Sequence, residues 1–127
     1  MGWRRVNPAY GFVVATVLLT VYGQVIIKWQ VGKVGEFPTG ASARVSYLAH
    51  FLLNPWVISA LLGGLIAAFS WIAALSKLEL SRAYPFTAAS FMLVIVLSAI
   101  FFDEKLTAFK VAGALLVVLG LIVGSQT

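Results

Sequence analysis

The sequence predicts an all-α membrane protein with four transmembrane helices. This prediction rests on the amino-acid composition and on the spacing of the charged residues. Of the 127 residues, 61% are hydrophobic and only 10% are charged, against about 25% charged in an ordinary soluble domain. Long uncharged stretches separate the charges, at 6–27, 45–76, 83–102 and 111–127. A bilayer core about 30 Å thick needs about 20 residues of helix. Four spans therefore occupy most of the chain, which reads as a single domain over residues 1–127.

The first predicted span, at about 9–29, is followed by the one long connection of the chain, 30–54. Pro8 suits the first turn of a helix, where its missing N–H is not needed. Tyr10 and Trp29 bracket the apolar run as interfacial aromatic residues do. Apolar residues then recur in the connection at spacings of three and four, namely Val45, Leu48, Phe51 and Leu52. This pattern predicts a short amphipathic helix in the membrane interface.

The remaining spans are predicted at about 56–75, 83–102 and 108–123, and short connections join them. Consecutive helices with short links pack as antiparallel neighbours. Because small residues mark helix contacts in lipid, two sets of them are of interest. In the second span Ala60, Gly64 and Ala68 fall four apart, with Gly63 and Ala67 beside them; in the fourth span the set is Gly113, Gly120 and Gly124. They indicate either packing within one subunit or, for the fourth span, the seam of a dimer.

The positive charges are nearly balanced between the two membrane faces. Side A, which holds both chain ends, carries four basic residues: Arg4, Arg5, Lys77 and Arg82. Side B carries five: Lys28, Lys33, Arg44, Lys105 and Lys110. Orientation in a membrane follows an imbalance of these charges. The sequence therefore leaves two interpretations open, dual topology or an orientation that the first helix or a partner protein fixes.

Several kinds of chemistry are excluded by the residues present. The chain has no cysteine and one histidine, His50, so it offers no disulfide, no thiolate and no multi-histidine metal cluster. A phosphate-binding glycine loop is also missing. We therefore predict no metal, no cofactor and no enzymatic activity. The net charge of +5 is that of flanking Lys and Arg that meet lipid phosphates, so membrane lipid is the expected partner and nucleic acid is not.

The acidic residues all lie at span ends or in connections: Glu36, Glu79, Asp103 and Glu104. A proton-driven antiporter needs an ionisable group inside the membrane, so this placement counts against one. Lys28 closes the first span, and either its side chain extends to lipid phosphate and water, or it turns inward to bind a substrate phosphate or Glu104. Gln24 is costly in an apolar layer, because its amide donors and acceptor must be satisfied.

Two segments carry a resemblance to a known family. The first is Gly23-Gln24 followed by Lys28; the second joins Ala83-Tyr84-Pro85 to Asp103-Glu104-Lys105. These motifs resemble the short four-helix form of the drug/metabolite transporter superfamily. They are most similar to subunits of the aminoarabinose-phosphoundecaprenol flippase (the ArnE/ArnF type), to which the small multidrug resistance proteins are related.

The resemblance implies a multi-pass protein of the bacterial cytoplasmic (inner) membrane that translocates a polyprenyl-phosphate-linked sugar. It implies a homodimer, or a heterodimer with a similar short chain, and a substrate site built from Lys28, Gln24, Tyr84 and Glu104. Small multidrug resistance proteins carry a membrane glutamate where this chain has Thr20. A cation exporter of that kind is the alternative function, and an accessory subunit of a membrane glycosyltransferase is another.

Overall fold

Helices make up almost all of the computed structural model, which describes residues 8–124 and residue 126. In chain order they are α1 (Ala9–Val34), α2 (Ala41–Leu52), α3 (Pro55–Leu75), α4 (Leu80–Ala83), α5 (Thr87–Phe101) and α6 (Ala108–Gly124). Helix α1, helix α3 and the segment Leu80–Phe101 are long and apolar enough to cross a membrane, and α6 is a shorter apolar helix. The all-α, four-helix fold class is therefore confirmed.

The packing of α1 against α3 is the most extensive contact between two helices of the described chain. On α1 the buried positions recur at intervals of four, as in Val13, Val17 and Val21, which places them on one face of the helix. A Cβ added at Gly23 would lie 3.5 Å from the carbonyl oxygen of Ala60. The two backbones thus approach closely, as small residues allow in lipid.

The small residues of α3 that face α1 are Ala60 and the neighbours of the other two residues in the four-residue pattern. Ala60, Gly63 and Ala67 are buried, whereas Gly64 and Ala68 are exposed. Adjacent residues are rotated by about 100° around the helix axis, so the phase of α3 relative to α1 decides which of two adjacent small residues is buried. Here that phase leaves Gly64 and Ala68 on a neighbouring surface of α3.

The third membrane segment consists of two helical pieces. A 3₁₀ turn at Tyr84–Phe86 separates α4 from α5, and it contains Pro85, which has no N–H to give to a helical hydrogen bond. Near this turn, at the side A end of the bundle, Ala83 packs with Val13 and Ala74 in the buried core. The 3₁₀ turn thus holds Tyr84 at the side A end of the bundle, between α4 and α5.

Helix α6 lies at the edge of the bundle, where it contacts α5 and the 3₁₀ turn. Ala114 is its one buried residue within Ala108–Gly124. At Gly113, Gly120 and Gly124, an added Cβ would meet no atom within 4 Å outside the surrounding helix backbone. Open space therefore lies beside these glycines in the described chain, and a dimer seam along them stays a prediction.

The long connection contains the helix that its apolar spacing predicts. Helix α1 continues past Trp29 to Val34, and α2 follows over Ala41–Leu52. The Tyr47 hydroxyl donates to the carbonyl oxygen of Gly35 at 2.8 Å, and Arg44 Nε donates to that of Pro38 at 3.0 Å. These bonds tie α2 to the end of α1. Its placement in the membrane interface stays a prediction, and Arg4 and Arg5 lie outside the described residues.

The start of α3 is coupled to α1 through side-chain amides. Asn54 Oδ1 accepts from the backbone N–H of Trp56 at 2.8 Å, which caps the helix at a position where Asn is favoured. Asn54 Nδ2 donates to Gln30 Oε1 at 2.8 Å. Gln30 is only 3% exposed, and its Nε2 has no partner among the described residues. The Asn54 side chain thus supplies the one side-chain hydrogen bond that the buried Gln30 amide makes here.

Candidate functional site

The side B end of the bundle holds an ion pair between Lys28 of α1 and Glu104, which follows α5. Lys28 Nζ lies 3.6 Å from Glu104 Oε1, and the two side chains are 58% and 41% exposed. Asp103, at φ 52°, adopts the left-handed conformation that Asp tolerates better than most residues. The chain reverses there, and the backbone N–H of Glu104 then donates to the carbonyl oxygen of Ser98 at 3.3 Å. The turn thereby brings Glu104 back towards α1.

Four polar residues follow one another along α1 at intervals of four: Thr16, Thr20, Gln24 and Lys28. We call this set the polar stripe. Side chains four residues apart lie on the same face of a helix, with a slow rotation from turn to turn. Thr20, Gln24 and Lys28 are exposed, and Thr16 is partly buried. The polar stripe therefore runs along the outside of α1 for about 18 Å, at 1.5 Å per residue.

Gln24 is the least readily explained member of the polar stripe. Its side chain is exposed, and no hydrogen bond reaches its amide within the described part of the chain. An amide left unbonded in an apolar medium costs about 2–7 kcal/mol. The bilayer supplies no partner, so Gln24 has to face water, a second protein chain or a polar ligand. The exposed face of α1 is therefore a candidate contact surface for one of these three partners.

Tyr84 lies at the other end of the polar stripe from Lys28. Together with Thr16, Thr20 and Thr87 it lines a groove of about 310 Å³, whose remaining wall is α3. Gly64 and Ala68 of α3 face this groove, so their small size keeps it open. Thr20 precedes Lys28 by eight residues, a distance of about 12 Å along the helix. Tyr84 is therefore at the side A end of the same surface.

Of the four residues that the sequence places in the site, the structure brings two into direct contact. Lys28 and Glu104 form the ion pair, and Gln24 lies one turn along α1 from Lys28. Tyr84 is distant from that pair, because the 3₁₀ turn holds it near the start of α1. Sequence reasoning missed Thr16 and Thr20 as members of one surface, although their four-residue spacing towards Gln24 and Lys28 was the available signal.

The hydroxyl groups in this groove differ in what they can offer a ligand. Thr16 Oγ1 donates to the carbonyl oxygen of Phe12 at 2.8 Å, and Thr87 Oγ1 donates to that of Tyr84 at 2.6 Å. Hydroxyls bonded to their own helix are mainly structural. Among the described residues, no hydrogen bond is made by the Thr20 or Tyr84 hydroxyl. These two hydroxyls are therefore available to a polar ligand.

Metal binding receives no support from the part of the chain that the structure describes. There, no three His, Cys, Asp or Glu residues come close enough together to hold a metal ion. The described site instead consists of one ion pair, one amide and hydroxyls, which can bind and orient a polar group by charge and hydrogen bonds.

Comparison with known proteins places the chain in a family. The model of the EamA-like transporter family matches residues 6–125. This chain belongs to the EamA-like transporter family. No solved structure matches it. Its membrane segments and family membership identify it as a multi-pass protein of the bacterial inner membrane.

The similar members of the EamA-like family share most of their length with this chain. The chain is 29% identical to a probable 4-amino-4-deoxy-L-arabinose-phosphoundecaprenol flippase subunit ArnF of Serratia proteamaculans, over 92% of each chain. It is 31% identical to a protein of Yersinia enterocolitica that has the same probable ArnF name, over 88% of this chain and 89% of the relative. It is 33% identical to an ArnE subunit of the same flippase in Pseudomonas aeruginosa, over 85% and 89%. The predicted resemblance is thereby confirmed.

Proposed function

We propose that this chain is a flippase subunit that moves a polyprenyl-phosphate-linked sugar across the bacterial inner membrane. The observation that carries the proposal is the polar stripe, a row of mostly exposed polar side chains on a membrane-spanning helix whose opposite face packs against α3. The relatives named above as flippase subunits support the choice of substrate. Moving a lipid between leaflets breaks no covalent bond, so the proposal includes no enzymatic step.

The head group of such a lipid has to cross about 30 Å of hydrocarbon while its tail stays in the bilayer. The polar stripe offers hydrogen-bonding groups at successive turns of α1, about 6 Å apart. A sugar moving along this surface would exchange one partner for the next without losing all of them at once. Because an unpartnered hydroxyl in hydrocarbon is costly, this stepwise exchange lowers the barrier to crossing.

Each predicted site residue takes a role that follows from its place on this surface. Lys28 supplies positive charge for the lipid phosphate at side B, and Glu104 holds its ammonium group until the phosphate replaces the carboxylate. Gln24 hydrogen-bonds the sugar or the phosphate one turn further along α1. Tyr84 offers its hydroxyl at the side A end, where the sugar arrives or leaves. Glu104, once released, is suited to a cationic sugar.

A second chain completes the surface in this proposal. The polar stripe is exposed along one side, and the described groove has walls of α3 and of the segment around Tyr84 but is open towards lipid. A homodimer, or a heterodimer with a similar short chain, would cover that opening. The relatives are themselves named as subunits, which supports an assembly of more than one chain.

The test is a transport assay on reconstituted vesicles that contain a fluorescent polyprenyl-phosphate sugar, read out by a quencher that cannot cross the membrane. Lys28→Gln removes the charge, and Lys28→Arg keeps it. A charge-assisted hydrogen bond contributes about 1.5–3 kcal/mol, so Lys28→Gln should slow transport by about tenfold to a hundredfold. Lys28→Arg should retain part of the rate.

The matched control is Lys77→Gln, which removes an exposed positive charge on side A, away from the polar stripe. It should transport as fast as the wild type. Equal rates for the wild type and Lys28→Gln would remove Lys28 from the site. Equal and rapid quenching in vesicles without protein would show that the assay measures leakage.

A further inference from the structure

A second groove, between α5 and α6, lies outside the polar stripe. It has a volume of about 510 Å³ and opens sideways. Its α5 wall is formed by Phe91, Ile95 and Ser98, which recur at intervals of three and four and so share one face. Gly113 and Val117 line it from α6. Away from its mouth, the groove is therefore lined mostly by apolar side chains. Gly113 has no side chain, which leaves open space in the groove beside α6.

The side B end of this groove is basic. Lys105 and Lys110 line it there together with Glu104. The Glu104 carboxylate is already paired with Lys28, and Asp103 does not line the groove. Lys110 Nζ donates to the carbonyl oxygen of Lys105 at 3.0 Å, which holds its ammonium group at the turn. Lys105 and Lys110 thus line the groove mouth together with one carboxylate, that of Glu104. Lys28 offsets the charge of this carboxylate, so the mouth keeps a net positive charge.

The position of Lys110 is unfavourable for the helix that carries it. Thr107 Oγ1 accepts from the backbone N–H of Lys110 at 3.2 Å, so Thr107 caps α6 and Lys110 lies in its first turn. The N-terminus of a helix carries a partial positive charge, which favours anions and disfavours Lys. An anion bound at the mouth would remove this conflict, because it would satisfy both the lysines and the helix N-terminus.

We infer that this groove binds the lipid carrier itself, with part of its polyprenyl tail between α5 and α6 and its phosphate on Lys105 and Lys110. The inference rests on the proposed function and adds a resting site for the carrier, from which its phosphate passes Glu104 at the groove mouth to reach Lys28 on the polar stripe. A branched, apolar chain matches the walls, and a phosphate matches the mouth. A second copy of this chain placed here in parallel would instead bring its own Lys110 of α6, and Lys105 of the turn before α6, to the same end, where like charges repel.

Binding of farnesyl phosphate and of farnesol to the purified full-length chain in detergent tests the inference. Gly113→Leu fills the groove without meeting another atom at its Cβ, and it should weaken binding of both probes by at least tenfold. The double variant Lys105→Gln/Lys110→Gln should weaken farnesyl phosphate by at least tenfold and leave farnesol unchanged, because farnesol has no charge to lose.

Two control variants match these changes outside the groove. Ala112→Leu places the same leucine side chain at the adjacent, exposed position of α6, and Lys77→Gln removes an exposed charge from side A. Both should bind within twofold of the wild type. If dioleoylphosphatidylglycerol displaces farnesyl phosphate at equal concentration, the groove is a general lipid contact and the inference is wrong. If Gly113→Leu converts a dimer to a monomer and leaves both affinities unchanged, a second copy fills the groove.

This experiment separates the inference from the proposed function. Normal farnesyl phosphate binding by the groove variants, alongside loss of transport in Lys28→Gln, would overturn the inference and leave the flippase proposal standing. Loss of binding in the groove variants, alongside normal transport in Lys28→Gln, would support the carrier site and remove Lys28 from the transport path.

Discussion

Replacing Asn54 with alanine should destabilise the protein more than the loss of a helix cap alone, because the partly buried Asn54 side chain also bonds the buried Gln30. The change removes the cap of α3, where Asn54 Oδ1 accepts from Trp56 N–H at 2.8 Å, and such a cap contributes about 1 kcal/mol. It also removes the donor to Gln30 Oε1. Leaving that buried acceptor unpaired costs about 1–3 kcal/mol. The expected total loss in free energy of unfolding is therefore about 2–4 kcal/mol.

The two contributions separate in a double-mutant cycle with Gln30→Leu. Leucine is close to glutamine in size, and it removes a buried amide whose Nε2 has no partner in the described chain. We expect Gln30→Leu alone to change stability by less than about 1 kcal/mol, because the loss of the hydrogen bond from Asn54 is offset by removal of the buried, unpartnered Nε2. With Gln30 already replaced, Asn54→Ala should cost only the cap, about 1 kcal/mol.

The measurement is unfolding in mixed micelles by SDS titration, followed by far-ultraviolet circular dichroism. Asn54→Asp is the control, since its carboxylate keeps the cap and lets the Gln30 amide rotate so that Nε2 donates to it. This variant should be close to the wild type. The reasoning is refuted if Asn54→Ala costs less than about 0.5 kcal/mol, or if the double variant loses the sum of the two single losses.

Two further predictions concern coupling and helix packing. Because Thr20 occupies the position of the glutamate in small multidrug resistance proteins, cells that express this chain should gain no resistance to quaternary ammonium cations; resistance that disappears when the proton gradient is collapsed would favour the exporter alternative. The Gly23→Ala variant should fold normally, because the added Cβ would lie 3.5 Å from the Ala60 carbonyl oxygen, which is an ordinary contact. The larger side chain in Gly23→Leu should separate α1 from α3 and lower the SDS concentration at the unfolding midpoint. An unchanged midpoint in Gly23→Leu would contradict the packing described for these helices.

The sequence was sufficient for the membrane segments because hydrophobic length and charge spacing are properties of the chain alone. It placed Lys28 and Glu104 at span ends on side B, and it left open whether Lys28 extends to lipid phosphate and water or turns inward to Glu104; the structure shows the ion pair. It could not separate Gly63 from Gly64 as the residue that faces α1, because that choice depends on the phase of the helix relative to its neighbour.

The break at Tyr84–Phe86 shows a similar limit of sequence reasoning. The predicted third span begins at about residue 83, so Pro85 falls in the first turn of one continuous helix. In the structure a separate helical turn, α4, precedes it, and a 3₁₀ turn joins α4 to α5. Because proline fits the start of a helix and also a break inside one, the residue alone does not indicate which of the two occurs.

The unequal lengths of α1 and α6 bear on how thick the bilayer is beside this protein. The 26 residues of α1 extend about 39 Å, whereas the 17 of α6 extend about 25 Å, at 1.5 Å per residue. The hydrocarbon layer is about 30 Å thick, and a helix shorter than this thins the lipid around it, at a cost of fractions of a kcal/mol per Å. Over the described residues, we therefore expect lipid beside α6 to form a thinner barrier than lipid beside α1. A head group that leaves one leaflet at that edge has less hydrocarbon to cross before it reaches the other.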